Sequence, residues 1–529
     1  MPSEESSTPS TTLTTVSLRR AAIATLITLA ALGGLWALDL AVLHGTVLTA
    51  YQRGDRPDLP ALSPLYAFWL PAMRPTAALF VIAAISLVLL APRLIDPARM
   101  RRGVFTLLLV VAALALPFAL FLVRESPGDL GKNFLIYRGE EYYEDALRIR
   151  DLGGFLRGYV ALNPKLSSHG RTHPPGNAVY LYLAGQVLGS TSFGEDAAKV
   201  QVRPDGSLAA PSPVGAGLAV LLAFAVGAFF AYRALATALG ERGGRAAALL
   251  LLASPAVLDF ACTSMDAVFF AVAAVALWAA FKAFAADGAA AWGLGAGAAL
   301  FAAMLFSFSA FPLGLFLLFY GLARGAAGAV KGTLAATGGG ERAANDDRTD
   351  RTNRTGILNV SYGARFAAVR LGAVLFAFVA CAVLFALLTG FDFWDCFVVA
   401  HSQHVTQMTR FIGRPPAQLY AYLTFGNAVA FLIGAGVALT ALVGLRLVRA
   451  ARARWIDSLT FAAGVAFLVM CAGGIYTMEV ERIFLFAIPW LAGAALAGGA
   501  LPTPGALRLL LGLGLAQAFV MEALLFTLW

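Results

Sequence analysis

The chain has 529 residues, 59% of them hydrophobic and 13% charged, with mean hydropathy +0.76 and a formal net charge of +9. A soluble chain carries about twice that charged fraction, so composition excludes a soluble enzyme. A basic excess in a membrane chain reflects orientation in the bilayer, which removes its force as a nucleic-acid signal.

The first twenty residues are polar and are expected to be a disordered cytoplasmic tail. Apolar runs then recur to the end of the chain, and each can cross a hydrocarbon core of about 30 Å as a helix. They predict an all-α polytopic membrane protein of about thirteen spans. The runs lie near 21–43, 75–92, 104–123, 214–237, 246–263, 267–285, 290–308, 311–326, 366–388, 424–445, 458–475, 483–500 and 507–528. The domain reading is N-terminal spans over 21–123, a large outer loop over 124–213 and a transmembrane core over 214–326. A flexible, Gly/Ala/Asp-rich cytoplasmic insert (327–365) and C-terminal spans over 366–529, with an outer loop at 389–423, complete it. The run at 176–189 is too short to cross and reads as an interfacial helix.

With the N-terminus inside, short inner loops collect Arg93, Arg99, Arg101 and Arg102, then Arg233, Arg242 and Arg245, then Arg446, Arg449, Arg452 and Arg454. That pattern obeys the positive-inside rule. The same topology sends nearly all other chemistry-bearing residues outside. The four cysteines (Cys262, Cys381, Cys396 and Cys471) stand singly, which points to neither a disulfide framework nor a zinc site.

The richest outer segment is 137–176, YRGEEYYEDALRIRDLGGFLRGYVALNPKLSSHGRTHPPG. On a helix, Glu140 aligns with Glu144 and Glu141 with Asp145. Carboxylates that close repel, which raises a pKa or recruits a cation; either suits a general base. A solvated acidic face paired with Arg148 and Arg150 is the plainer alternative. Tyr143 lies within this cluster. His169 and His173 are spaced HxxxH, but Pro174 and Pro175 disfavour the helix that a metal pair requires. They read instead as an elbow opening the interfacial helix, able to hydrogen-bond a sugar or phosphate. Glu479, Glu481 and Arg482 stand between two late spans, where an arginine can bind an anionic head group or simply snorkel. Asp266 opens a span and reads as a favourable N-terminal charge. The second outer loop adds Asp392, Asp395, His401, His404, Arg410 and Arg414.

The acidic-tyrosine cluster, the His-Pro-Pro motif opening a short helix, the stretch SPAVLDFACTSMDAVFFAVAAVALWAAF and the segment EVERIFLFAIPWL together resemble the GT-C glycosyltransferases. These include the protein O-mannosyltransferases and lipid A aminoarabinose transferases. The resemblance covers roughly 135–325 well and 390–500 loosely. It implies inverting transfer of a sugar from a polyprenyl-phosphate carrier to a lipid, glycan or protein acceptor on the outer face of a bacterial inner membrane. By position the base falls on Glu141, with Asp145 as rival and Glu140 beside them. Arg482 takes the carrier phosphate. Glu479, Glu481, His169, His173, Tyr143 and Arg410 complete the expected binding set. Three spans precede the first outer loop here, where family members usually have one, and Glu140-Glu141 stands where they often have Asp-Glu or Asp-x-Asp.

A lipid-phosphate donor brings its own leaving group, so positioning, one base and phosphate neutralisation suffice. No nucleotide-binding glycine motif is present. No cofactor is required, although paired acids could hold a magnesium or manganese ion against the phosphate. A transporter or flippase of lipid-linked sugars is the alternative; it predicts charges deep in the spans, whereas here they sit at span ends. A lipid-anchored polymerase or ligase would use the same donor chemistry.

Overall fold

The computed structural model describes residues 15–38, 65, 67–131, 142–188, 213–285, 287–338, 349–412, 416–473, 480–499 and 501–527. Among the described residues, eight helices are long and apolar enough to cross a membrane: Leu18–Leu38, Ala77–Leu94, Arg102–Phe121, Pro213–Leu252, Asp266–Ala283, Ala310–Ala327, Gly363–Thr389 and Pro504–Leu524. The chain is an all-helical polytopic membrane protein. Its only sheet among the described residues is a two-stranded ribbon that pairs Ala67–Trp69 with Leu525–Thr527.

The expected count of thirteen full spans is not reached by helix length. All thirteen runs are largely helical, but several are broken or short. Gly240, at φ +76°, breaks Pro213–Leu252 into two helices, and the runs at 214–237 and 246–263 fall on either side of the break. The second of them then ends at Leu252 and gives way to the short helix Pro255–Phe260. Ala290–Met304, Ser458–Ala472 and Phe484–Gly499 are apolar but shorter.

The run at 424–445 is bent by 110° between Thr424–Ala435 and Val437–Ala453. Gly436 sits at the bend with φ +96°, a conformation a side chain would strain. A broken helix in hydrocarbon must have its freed backbone groups satisfied by protein. Gln517 does this from the last helix, its Oε1 accepting from Val437 N at 2.9 Å and its Nε2 donating to the Ile433 carbonyl at 2.9 Å. Ser254 Oγ donates to the Gly434 carbonyl at 3.2 Å.

Three more expectations meet the structure at this level. Within the expected tail, of which residues 1–14 lie outside the described residues, Val16 exchanges backbone hydrogen bonds with Leu501 and Thr503 and a helix starts at Leu18. The insert at 327–365 is helical to Gly338 and again from Thr349. The segment expected to be a second outer loop is mostly helix, Phe393–Ile412 and then Pro416–Ala435.

Helix ends sort the polar residues into two groups. At one end Glu241 bridges Arg102 and Arg245, while Arg446 pairs with Asp457. The opposite end carries Arg124, which donates to the Leu70 and Leu525 carbonyls, and the elements of the site.

Candidate functional site

The site grows from a short helix, Tyr142–Leu147, and the turn it holds. Asp145 is 1% exposed and points at Ser167. Its Oδ1 accepts from the Ser167 amide at 3.0 Å, and its Oδ2 accepts from the Ser167 hydroxyl at 2.6 Å. Half-exposed Arg148 stands 3.9 Å away. Burial pushes the Asp145 carboxyl above its ordinary pKa, against the lowering pull of the Ser167 hydrogen bonds and of Arg148. The Ser167 hydroxyl also accepts from the Gly170 amide at 3.0 Å. Gly170 must be glycine here, because a Cβ would lie 2.1 Å from Asp145 Oδ2.

Helix Leu152–Leu162, capped by Asp151, supplies the second support. Tyr159 is buried, and its hydroxyl lies 3.0 Å from both the Gly170 and the His173 carbonyls. Burial raises its phenol well above the ordinary value, which keeps it a neutral donor. Asn163 Nδ2 donates to the Arg171 carbonyl at 2.9 Å. Residues 167–173 therefore form a stapled elbow.

His173 Nδ1 lies 3.0 Å from the His169 carbonyl and 3.1 Å from the Thr172 hydroxyl, which itself donates to that carbonyl at 3.1 Å. The two imidazole rings are 6.4 Å apart, and the Tyr142 ring lies 5.7 Å from each. Burial, the charge of Arg482 and His173 together hold His169 well below the ordinary histidine pKa, so it is neutral. The expected elbow is present, although helix Gly176–Leu188 starts just after Pro174-Pro175 rather than on a proline. Its first residue is locked in place: the Gly176 amide donates to the Leu305 carbonyl at 2.7 Å, and Asn177 Nδ2 donates to the Phe306 carbonyl at 3.2 Å.

Arg482 arrives from the far end of the sequence and is 5% exposed. Its Nη1 meets Asp266 Oδ2 at 3.1 Å and Ser264 Oγ at 3.3 Å, and Ser264 in turn donates to Asp266 at 2.9 Å. Asp266 is thus more than a helix-end charge: it is the partner of Arg482. The structure joins 264–266 to Arg482 through this ion pair, and the charge of Arg482 also acts on His169 of the 142–176 stretch.

The remaining sequence candidates fall differently. Glu140, Glu141 and Glu479 lie outside the described residues. Glu481 and Arg410 are on helices whose side chains at those positions are likewise outside the description. Tyr143 is buried, and its neighbour Tyr142 is the tyrosine beside the histidines. Sequence reasoning missed Ser167, Tyr159 and Tyr142. Only the Asn/Ser/Gly/Pro richness of 163–176 signalled a hydrogen-bonded turn there. Among the described residues, no three His, Cys, Asp or Glu side chains converge in a way that could hold a metal ion. The described donors do not fit a cation site, and no step here is routed through one.

No protein-family model matches the chain, and no curated sequence matches it. Solved structures do. The oligosaccharyltransferase of Archaeoglobus fulgidus, crystallised with zinc and sulfate, aligns with TM-score 0.36 at 12% identity over 74% of this chain and 48% of that one. ArnT from Cupriavidus metallidurans aligns in its apo state with TM-score 0.25 at 17% identity, covering 73% of this chain and 75% of that one. ArnT bound to undecaprenyl phosphate gives 0.23 at 17%, covering 71% and 76%. The chain spans about half the length of the oligosaccharyltransferase it matches. Superpositions this loose place no residue of the chain on a residue of those enzymes.

Proposed function

We propose that the chain is a membrane glycosyltransferase that moves a sugar from a polyprenyl-phosphate carrier to an acceptor hydroxyl, at the outer face of a bacterial inner membrane. One observation carries the reading: buried Arg482, held by Asp266, sets its charge on His169 of the elbow that the acidic segment builds. A buried cation suited to a phosphate thus acts on the elbow that follows the acidic stretch.

The chemistry then divides among residues. Glu141 takes the proton of the acceptor hydroxyl as its oxygen attacks the anomeric carbon. The bond from that carbon to the phosphate oxygen breaks, its electron pair leaves with the polyprenyl phosphate, and the sugar is inverted. Arg482 neutralises the leaving phosphate, sharing itself between that anion and Asp266. Asp145, engaged by Ser167 and closed to solvent, fits a positioning role better than proton abstraction. Neutral His169, with His173 beside it, offers ring edges for hydroxyls of the sugar. The acceptor class, whether lipid, glycan or protein, is left to its own contacts.

Glu141→Gln in protein reconstituted in nanodiscs tests the base. Transfer from a polyprenyl-phosphate sugar should fall by about 10²–10⁴-fold with the fold intact. Transfer at the wild-type rate would remove Glu141 from the mechanism. The bent pair around Gly436 is the observation that favours a transporter, since discontinuous helices line many transport sites. Here Gln517 and Ser254 consume the freed backbone groups described at the bend, which favours a fixed structural break over an ion-binding one.

A further inference from the structure

Helix Phe393–Ile412 follows the spanning helix Gly363–Thr389 after a three-residue turn, so it begins where that span ends. At about 100° per residue its described side chains divide into three faces. Phe393, Cys396 and Ala400 form the first, and they turn inward. Cys396 packs with Tyr159, Leu166 and Phe391, and the helix lies against the 170–172 turn of the elbow. Phe308 reinforces this side, its ring 5.6 Å from Phe393 and 5.2 Å from Phe397.

The second face is apolar and yet open. Trp394, Val398 and Val405 stand on it at i, i+4 and i+11, flanked by Phe397 and His401, and Trp394 is 69% exposed. The third face is polar and open, with Asp395, Ser402 and Thr406. A helix in water has no use for the second face, and a helix buried in protein none for the third. A helix lying in the plane of a bilayer surface uses both.

We infer that Phe393–Ile412 is an interfacial helix whose Trp394–Val398–Val405 stripe sits at the boundary between phospholipid head groups and acyl chains. Continuity identifies the occupant: the stripe extends the apolar surface of the preceding span, whose Leu387 and Leu388 near its end are 78% and 75% exposed. Tryptophan near the start of such a helix is placed where its ring meets head groups. Because the inward face grips the elbow, the helix fixes His169 and His173 at head-group depth. This inference rests on the chain spanning a membrane and is independent of the transferase reading.

Spin labels test it in the full chain in phospholipid nanodiscs. They would be placed singly at Val398→Cys, Ser402→Cys, Val405→Cys and Thr406→Cys in a Cys381→Ser background; the other three native thiols are buried. Oxygen partitions into lipid and a nickel chelate into water. The oxygen-to-nickel accessibility ratio should be several-fold higher at 398 and 405 than at 402 and 406. Equal ratios would overturn the inference. Exclusion of both reagents from 398 and 405 would also overturn it, since a protein partner would then cover the stripe. A label-free check guards against local disturbance: brominated phosphatidylcholine should quench a component of tryptophan emission that Trp394→Phe removes. Unchanged quenching in that variant counts against lipid contact.

Discussion

Gly170→Ala is the sharpest probe of the elbow, because the structure sets its cost. The added Cβ would stand 2.1 Å from Asp145 Oδ2 and 3.1 Å from Ser167 Oγ. Asp145 is short and its helix is packed, so the carboxylate must swing away and release both hydrogen bonds from Ser167. Hydrogen bonds to a charged group contribute about 1.5–3 kcal/mol each, and partial re-solvation returns some of that. A local cost of about 2–4 kcal/mol follows, equivalent to roughly 30- to 700-fold in the opening equilibrium. Because the loss is local, global unfolding is the wrong measure, and amide exchange at Ser167 and Gly170 is the right one. Both amides should exchange faster by about that factor. Asp145→Ala already removes the obstacle, so Gly170→Ala added to it should cost almost nothing more. Additive effects in this double-mutant cycle, or unchanged exchange in Gly170→Ala, would refute the contact.

Arg482→Ala leaves partly buried Asp266 without its cation and should destabilise the protein by about 1–3 kcal/mol, measured by denaturation in detergent. Asp266→Asn with Arg482→Met should recover most of that stability without recovering transfer, and a fully active double variant would remove Arg482 from the phosphate site. His169 has its pKa depressed in the folded chain, so it contributes stability above about pH 6.5 that is lost as pH falls towards its folded value. The loss reaches up to about 1.4 kcal/mol per pH unit below that point, because the unfolded chain takes up the proton first. His169→Gln should remove this component of the acid slope, and an unchanged slope would count against the burial argument. Gly436→Ala should cost about 1–3 kcal/mol through its positive φ alone, with a Cβ also 2.8 Å from Pro255 Cδ. An unaltered melting temperature would show that the bend relaxes freely.

The helical membrane architecture was legible because hydropathy is local: each apolar run from Leu18 to Leu524 announces itself without its neighbours. The break at Gly436 was not, since the chain holds 53 glycines and nothing nearby singles it out, whereas the break at Gly240 falls between two runs that hydropathy already separates. The elbow was readable in part. Pro174-Pro175 and the turn-forming residues before them marked it, but Ser167 as the partner of Asp145 depends on a contact across 22 positions. The pairing of Asp266 with Arg482 spans most of the late chain and leaves no local trace, so each end looked like an isolated charge. The apolar stripe on Phe393–Ile412 has helical spacing in the sequence, but its meaning depends on which face the elbow occupies.

Turnover of a polyprenyl-phosphate-linked sugar by the purified chain in proteoliposomes tests the central claim most directly. Phosphorus NMR follows the conversion of the donor's phosphodiester to a polyprenyl phosphomonoester, whichever sugar it carries. Across a panel of such donors with a lipid, glycan and peptide acceptor mixture, the wild-type protein should release the monoester while Glu141→Gln does not. Movement of the intact donor across the bilayer with no monoester formed would contradict the account and establish a flippase in its place.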